Sequence, residues 1–183
     1  MAIAIHIDST VGTDLRGLLF VKSALTRDKT DKRPHMNLIL ISCGYAIGTD
    51  GRRLHRYKLQ RKCKPGLYRV VAAKAGKNGE IVLIREKRYT TGDYPKWKQV
   101  FPNRRELLAT VDFRKKAKCN WTDVGVGVLP VMFRYLYENK QGFNVSYIAD
   151  LPTGLWTAGL YPERRMVLFH QGDMSAVVMT MRM

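Results

Sequence analysis

The chain of 183 residues has no long apolar run, and nothing in it approaches the ~18 consecutive apolar residues of a helical membrane span. Its first stretch, Met1-Ala-Ile-Ala-Ile-His-Ile-Asp8, is too short and too quickly acidic for a signal peptide and reads as an opening strand. Cysteine is scarce: Cys43, Cys63 and Cys119 are odd in number and lack metal-ligand spacing. They read as reduced thiols of a cytoplasmic protein, which excludes a disulfide framework and leaves the sequons at Asn120 and Asn144 without meaning. Catalytic motifs are also missing. Asp8, Asp50, Glu80, Glu86 and Asp112 form no metal-binding pair with an adjacent Lys, and His6, His35, His55 and His170 are scattered. No Ser/His/Asp, Cys/His or P-loop pattern occurs, and Gly125-Val-Gly127 lacks the third glycine of a dinucleotide loop. The chain is therefore expected to be no enzyme, with no catalytic residue, metal or cofactor; a metal-dependent nuclease is the remote alternative.

Acidic residues are the other shortage: 15 Asp+Glu stand against 32 Lys+Arg, a net charge of +17. Residues 1–60 carry 10 basic against 5 acidic side chains, residues 61–118 carry 17 against 5, and residues 119–183 carry 5 against 5. The excess sits in the middle third. An imbalance this large predicts a polyanion partner, with nucleic acid ahead of an anionic membrane. The 45% hydrophobic content suits a globular protein of one large or two small domains with a real core.

What is present reads as strands, turns and one amphipathic helix. Thr13-Asp14 caps a helix expected to run to about Arg27, with Leu15, Leu18, Leu19, Val21 and Leu25 on its apolar face. Arg16, Lys22 and Arg27 make a basic flank, which Lys29, Lys32 and Arg33 extend into the loop before Pro34. Leu38-Ile-Leu-Ile-Ser42 is a short buried strand. Tyr45-Ala-Ile-Gly-Thr-Asp-Gly-Arg-Arg-Leu-His-Arg56 is a hairpin turning at Asp50-Gly51, with Arg52 and Arg53 crowding its tip. Further strands follow at 66–72 and 81–85, joined by a turn at Gly76-Lys-Asn-Gly79, and at 124–129; residues 131–137 suit either strand or helix. Prolines and aromatics in Gly92-Asp-Tyr-Pro-Lys-Trp-Lys-Gln-Val-Phe-Pro102 make a stiff connecting segment. The most basic stretch follows, with Arg104, Arg105, Arg114, Lys115, Lys116 and Lys118; Trp97, Phe101, Phe113 and Trp121 are interleaved and read as core more readily than as base-stacking rings.

Three of these stretches resemble the bacterial DNA sliding clamp, the processivity factor known as the DNA polymerase III beta subunit. Ala46-Ile-Gly-Thr49-Asp50-Gly51-Arg52-Arg53-Leu54 matches its Ala-x-x-Thr-Asp-Gly-x-Arg-Leu signature, preceded by Arg33-Pro34-His35-Met36-Asn37 in the family's order. Tyr94, Pro95, Trp97, Val100 and Pro102 match its domain-linking segment. Gly142-Phe-Asn-Val-Ser-Tyr-Ile-Ala-Asp-Leu151 and the terminal Val177-Val-Met-Thr-Met-Arg-Met183 match its last domain, with Thr180 in place of the family's proline. The family also places a helix where this chain has only the Gly76–Gly79 turn, and its members are typically acidic overall.

The resemblance implies an α+β fold of the DNA-clamp type, with antiparallel sheets and few helices. It implies two shortened clamp-like domains, 1–102 and 103–183, or alternatively one clamp domain with an inserted basic segment at about 61–138. Carried over by position, a hydrophobic cleft for a linear peptide would use Met36, Thr49, Gly51, Arg52, Leu54, Pro102, Val177, Met179, Met181 and Arg182. Leu and Met walls suit apolar peptide anchors, and Arg52 and Arg182 suit acidic groups at the rim. Candidate contacts to the DNA backbone are Arg16, Lys22, Arg27, Lys29, Lys32 and Arg33, together with Arg104, Arg105, Arg114, Lys115, Lys116 and Lys118. The implied function is a processivity factor that binds double-stranded DNA non-specifically and tethers polymerase or other replication proteins, with a clamp loader as a further partner. Family rings hold six domains, so two domains per chain imply a homo-oligomer of three. The rival reading is a DNA-binding adaptor or decoy on a clamp scaffold without the ring. No membrane partner is expected, and the shortened form is consistent with a phage origin.

Overall fold

The computed structural model describes residues 4–26, 32–101, 109–112, 138, 140–142, 144, 146–161 and 163–182. The chain divides into two compact units, Met1–Gln99 and Val100–Met183. Expectations that fall on Arg27, Lys29, Pro102, Arg104, Arg105, Arg114, Lys115, Lys116, Lys118 and Cys119, and on the strand at 124–129, lie outside the described residues.

In the first unit six antiparallel strands are described: β1 (Ala4–Asp8), β2 (Leu38–Ser42), β3 (Tyr45–Thr49), β4 (Arg53–Lys58), β5 (Gly66–Lys74) and β6 (Glu80–Glu86). They lie in the order β1-β6-β5-β2-β3-β4. The order follows from turn chemistry. Gly44, at φ +77°, and Gly76, at φ +105°, take left-handed conformations at the β2–β3 and β5–β6 turns. Within β5 the register shifts between Val70 and Ala72, and the extra residue, Val71, stands 51% exposed.

Helix α1 (Gly12–Ser23) packs on one face of this sheet. Two glycines set its distance: a Cβ at Gly17 would strike the Tyr57 ring, and one at Gly48 would strike the Val21 carbonyl. Leu18 and Val21 face a core that includes Ile39, Ile41, Tyr68, Ile81 and Leu83, while Ile47 is buried on the opposite face of the sheet; all are essentially without solvent contact. Two sequence expectations need correction here. The chain enters α1 through a turn in which the Asp8 carboxylate accepts from the Thr10 amide at 2.9 Å, so Thr13-Asp14 is not the cap. Asp14 is instead buried within the helix. It accepts from the Tyr57 hydroxyl and the Gln60 amide, each at 3.0 Å, and pairs with Arg61 Nε at 3.5 Å. The helix also ends at Ser23 rather than Arg27; the Ser23 hydroxyl donates to the Phe20 carbonyl at 2.7 Å, drawing a backbone acceptor out of the helical pattern.

The connecting segment after β6 is made of short turns. Thr90 and Asp93 form a reciprocal capping box, in which the Asp93 carboxylate accepts from the Thr90 amide at 2.7 Å and from its hydroxyl at 3.0 Å. Tyr94 is buried, and its hydroxyl donates to the Ile47 carbonyl at 3.2 Å; burial pushes its ionisation far above the ordinary tyrosine range.

In the second unit, β9 (Leu155–Tyr161), β10 (Met166–Gln171) and β11 (Met174–Met179) form an antiparallel meander, with β7 (Ala109–Asp112) paired to β9. Trp156, Val167, Phe169, Val177 and Val178 are its innermost side chains. Val100 and Phe101 pack against a cluster of Tyr161, Met166, Leu168 and Val177. A short ladder joins β8 (Gln141–Gly142) to β12 (Met181–Arg182). Between β8 and β9 lies a single helical turn, α2 (Ser146–Ala149), opened by the Asn144 side chain accepting from the Ser146 amide at 3.0 Å.

Candidate functional site

The hairpin tip of the first unit is built around two side chains that satisfy its backbone. Thr49 Oγ1 donates to the Arg53 carbonyl at 2.6 Å and accepts from the Gly51 amide at 3.0 Å. The Asp50 carboxylate accepts from the amides of Arg52 and Arg53 at 2.9 and 3.0 Å. Gly51 takes φ +87°, and a Cβ there would lie 2.7 Å from Arg33 Nη1. The glycine is required by conformation; the end of the exposed Arg33 side chain can move aside from a Cβ. The tip is therefore preformed, and Thr49 is committed to it as a brace.

Charge at the tip is divided otherwise than the sequence suggests. Arg52 is exposed, but Arg53 is only 6% exposed and turns inward. Its Nε pairs with Asp50 Oδ2 at 3.1 Å, and its Nη2 donates to the Ser23 carbonyl at 2.8 Å, tying the hairpin to the end of α1. His55 reinforces that joint. It is fully buried, stacked on Phe20 at 4.2 Å, with Nδ1 2.8 Å from the Phe20 carbonyl. Neither role is legible from spacing, because each depends on where the helix lies.

The residues expected for a cleft fall into two groups. Exposed are Gly51 and Arg52 in the first unit, and Met179, Met181 and Arg182 in the second. Met36, Thr49, Leu54 and Val177 are buried, at 5%, 4%, 4% and 0% exposure. The first group is open to solvent; the second is packed inside.

Met179 and Met181, 37% and 57% exposed, are among the large apolar side chains that face solvent. Between them Thr180 is 6% exposed and points the other way. Its amide donates to the Arg165 carbonyl at 2.7 Å, and its hydroxyl to Gln141 Oε1 at 2.8 Å. Both bonds need a residue other than proline. Thr180 thus pins the strand by its inner side and leaves two methionines on the outer side.

Of the expected DNA contacts that are described, Arg16 and Lys22 stand exposed on the outer side of α1, and Lys32 is exposed in the following loop. Arg33 belongs to the hairpin tip, where its Nη2 donates weakly to the Asp50 carbonyl at 3.4 Å. Among the described residues, no three His, Cys, Asp or Glu side chains gather as metal ligands do, and no helix is long and apolar enough to cross a membrane.

No family model and no curated protein matches this sequence. Solved structures do match its fold. The DNA polymerase sliding clamp of Pseudomonas aeruginosa, solved with a ligand, superposes with a TM-score of 0.57 at 16% identity, covering 99% of this chain and 67% of that one. A sliding clamp of the same organism bound to griselimycin gives 0.58 at 15% identity, with 99% and 66% covered. The DNA polymerase III subunit beta of Borrelia burgdorferi, in complex with a natural product, gives 0.56 at 9% identity, with 99% and 64% covered. The chain spans about two thirds of the length of these clamps. It has the sliding-clamp fold, mostly antiparallel sheet with few helices, in a shortened form.

Proposed function

We propose that this chain is a shortened sliding clamp that binds DNA without sequence preference and tethers a polymerase or another replication protein by a short linear peptide. The observation that carries the reading is the C-terminal strand: a fold shared with sliding clamps ends in two solvent-facing methionines held by a buried threonine. Unbranched thioether side chains adapt to varied apolar anchors, which suits a surface that serves several partners. Arg182 beside them, and Arg52 at the rigid hairpin tip, are assigned to acidic groups of the partner. Met36, Thr49, Leu54 and Val177 keep the surfaces in shape from within.

Arg16, Lys22 and Lys32 are assigned to phosphates. Such contacts carry no sequence information and release counterions, so the affinity they give falls with salt. A ring of chains, three if each supplies two of six domains, would hold DNA by topology, with a loader to open it.

The test joins mass and topology. Light scattering after size exclusion gives the oligomer, and retention on nicked circular plasmid is compared before and after linearisation. A closed oligomer that stays on circles and slides off linear DNA is the expected result. A monomer at every concentration, retained equally on both forms, would replace the ring with the adaptor reading.

A further inference from the structure

On the sheet face opposite α1, the first unit holds cations over aromatic rings. Tyr45 and Lys58 are directly paired across β3 and β4, and Arg56 lies two positions along from Lys58, so these three side chains leave the sheet on one side. Gly48 and Tyr57, which meet α1, alternate with them and mark the other side. The Arg56 guanidinium carbon sits 5.0 Å from the centre of the Tyr45 ring. That ring lies 5.9 Å from Trp97, and the Lys98 ammonium stands 5.8 Å from the centre of the Trp97 ring. Lys58 and Lys98 are exposed, Tyr45 and Arg56 are half-buried, and Trp97 is buried.

A cation resting on a ring face has already given up much of its rotamer freedom, so less is lost when it meets an anion. The surroundings add the sign. Residues 53–98 carry 14 Lys+Arg against 3 Asp+Glu, so this stretch of sequence is strongly basic. The field is also felt by a neighbour. The Ser42 hydroxyl, 3.6 Å away, and the Lys98 ammonium together hold the exposed Cys43 thiol below its ordinary range.

We propose that Arg56, Lys58 and Lys98 form a contact site for the phosphodiester backbone of nucleic acid, on the sheet face and independent of any ring. It goes beyond the clamp reading, in which cations on and after α1 meet DNA. Phosphate is the chemistry it fits: two cations resting on rings, Arg56 and Lys98, with the exposed Lys58 on the same sheet face as Arg56.

The experiment measures binding of short labelled linear oligonucleotides, single-stranded and duplex, as a function of salt. Free ends prevent topological retention, so a failed ring and a failed site are told apart. Removing three phosphate contacts in R56Q/K58Q/K98Q makes the slope of log affinity against log salt shallower by about 2.7 on duplex. Between about 50 and 200 mM salt, wild-type affinity then falls about 40-fold further than the variant's. The control R69Q/K74Q/K77Q removes the same charge from β5 and the β5–β6 turn, with Arg69 on the same sheet face but three strands from β4, and is expected to keep the wild-type slope. Equal effects in both variants, or none in the first, overturn the site. So do tighter binding to phosphatidylserine vesicles than to oligonucleotide, or a single-strand preference that survives high salt and so reports base stacking. Should the triple variant not fold, wild-type protein decides. Oligonucleotide is expected to slow alkylation of Cys43 several-fold and to leave Cys63 unchanged, and an unaltered Cys43 rate refutes the proposal.

Discussion

Replacing Thr180 by proline, the residue that the resembling family carries at this point, is expected to be strongly unfavourable in this chain. The substitution removes the amide that donates to Arg165 at 2.7 Å and the hydroxyl that donates to Gln141 at 2.8 Å. Each bond contributes about 1 kcal/mol net, and the position is nearly solvent-free, so the expected loss is about 2–3 kcal/mol. For a cooperative unit the size of Val100–Met183 that lowers Tm by roughly 10–20 °C. Thr180→Val separates the two terms. It keeps shape and amide, loses only the hydroxyl, and should cost about 1 kcal/mol. Calorimetry and urea denaturation read the stabilities. Binding of a polymerase-tail peptide reads the consequence for Met179 and Met181, which should be presented normally in the valine variant and poorly in the proline variant. If Thr180→Pro is as stable as Thr180→Val, the backbone bond to Arg165 contributes nothing. If it also binds peptide normally, the pinned strand is not what presents the methionines.

Three further outcomes follow from the geometry. Met181→Ala, at the more exposed methionine, should weaken peptide binding by about 1–3 kcal/mol while leaving Tm within a degree or so, and unchanged affinity by fluorescence anisotropy would remove the docking assignment. Gly48→Ala should destabilise the first unit by about 1–3 kcal/mol in chemical denaturation, because the obstructing atom is a helix carbonyl rather than a movable side chain. Cys43, held low by Ser42 and Lys98, keeps its thiolate at a pH where Cys63, pushed up by burial, is still protonated. Peptide mass spectrometry should therefore find Cys43 alkylated first as pH rises, and the reverse order would contradict the geometry around Lys98.

Much of the fold was legible because turns announce themselves. The opening strand, the β2 run, the hairpin and the β5–β6 turn all stand where Gly and Asp signals and apolar alternation place them. The clamp resemblance was likewise carried by short motifs, although identity to the matched structures is only 9–16%. What escaped depends on packing across distant sequence. An acid two residues into a helix reads as a cap until Tyr57 is seen to meet it. A second arginine at a hairpin tip reads as solvent-exposed until the helix end accepts from it. Arg56 and Lys98 are 42 positions apart, and nothing local says that Tyr45 and Trp97 bring them together. Met179 and Met181 resemble core filler by composition; the buried Thr180 between them decides their direction.

The strand order of the first unit has a consequence for how the chain is made. β1 pairs with β6, Ala4 opposite Ile84 and Asp8 opposite Glu80, whereas β2–β3 and β3–β4 are pairs of neighbours in sequence and β2–β5 is of intermediate range. Sheet pairing over long sequence separation closes slowly, because the loop entropy is lost before the contacts repay it. During synthesis, Ala4–Asp8 must wait for Glu80–Glu86 to leave the ribosome before its ladder partner exists, while the hairpin and α1 already have theirs. Ala4–Asp8 is thus among the last segments of this unit to dock. Ribosome-stalled chains ending before Glu80 should therefore keep β1 open to protease, and chains long enough for Glu86 to have cleared the ribosome should protect it.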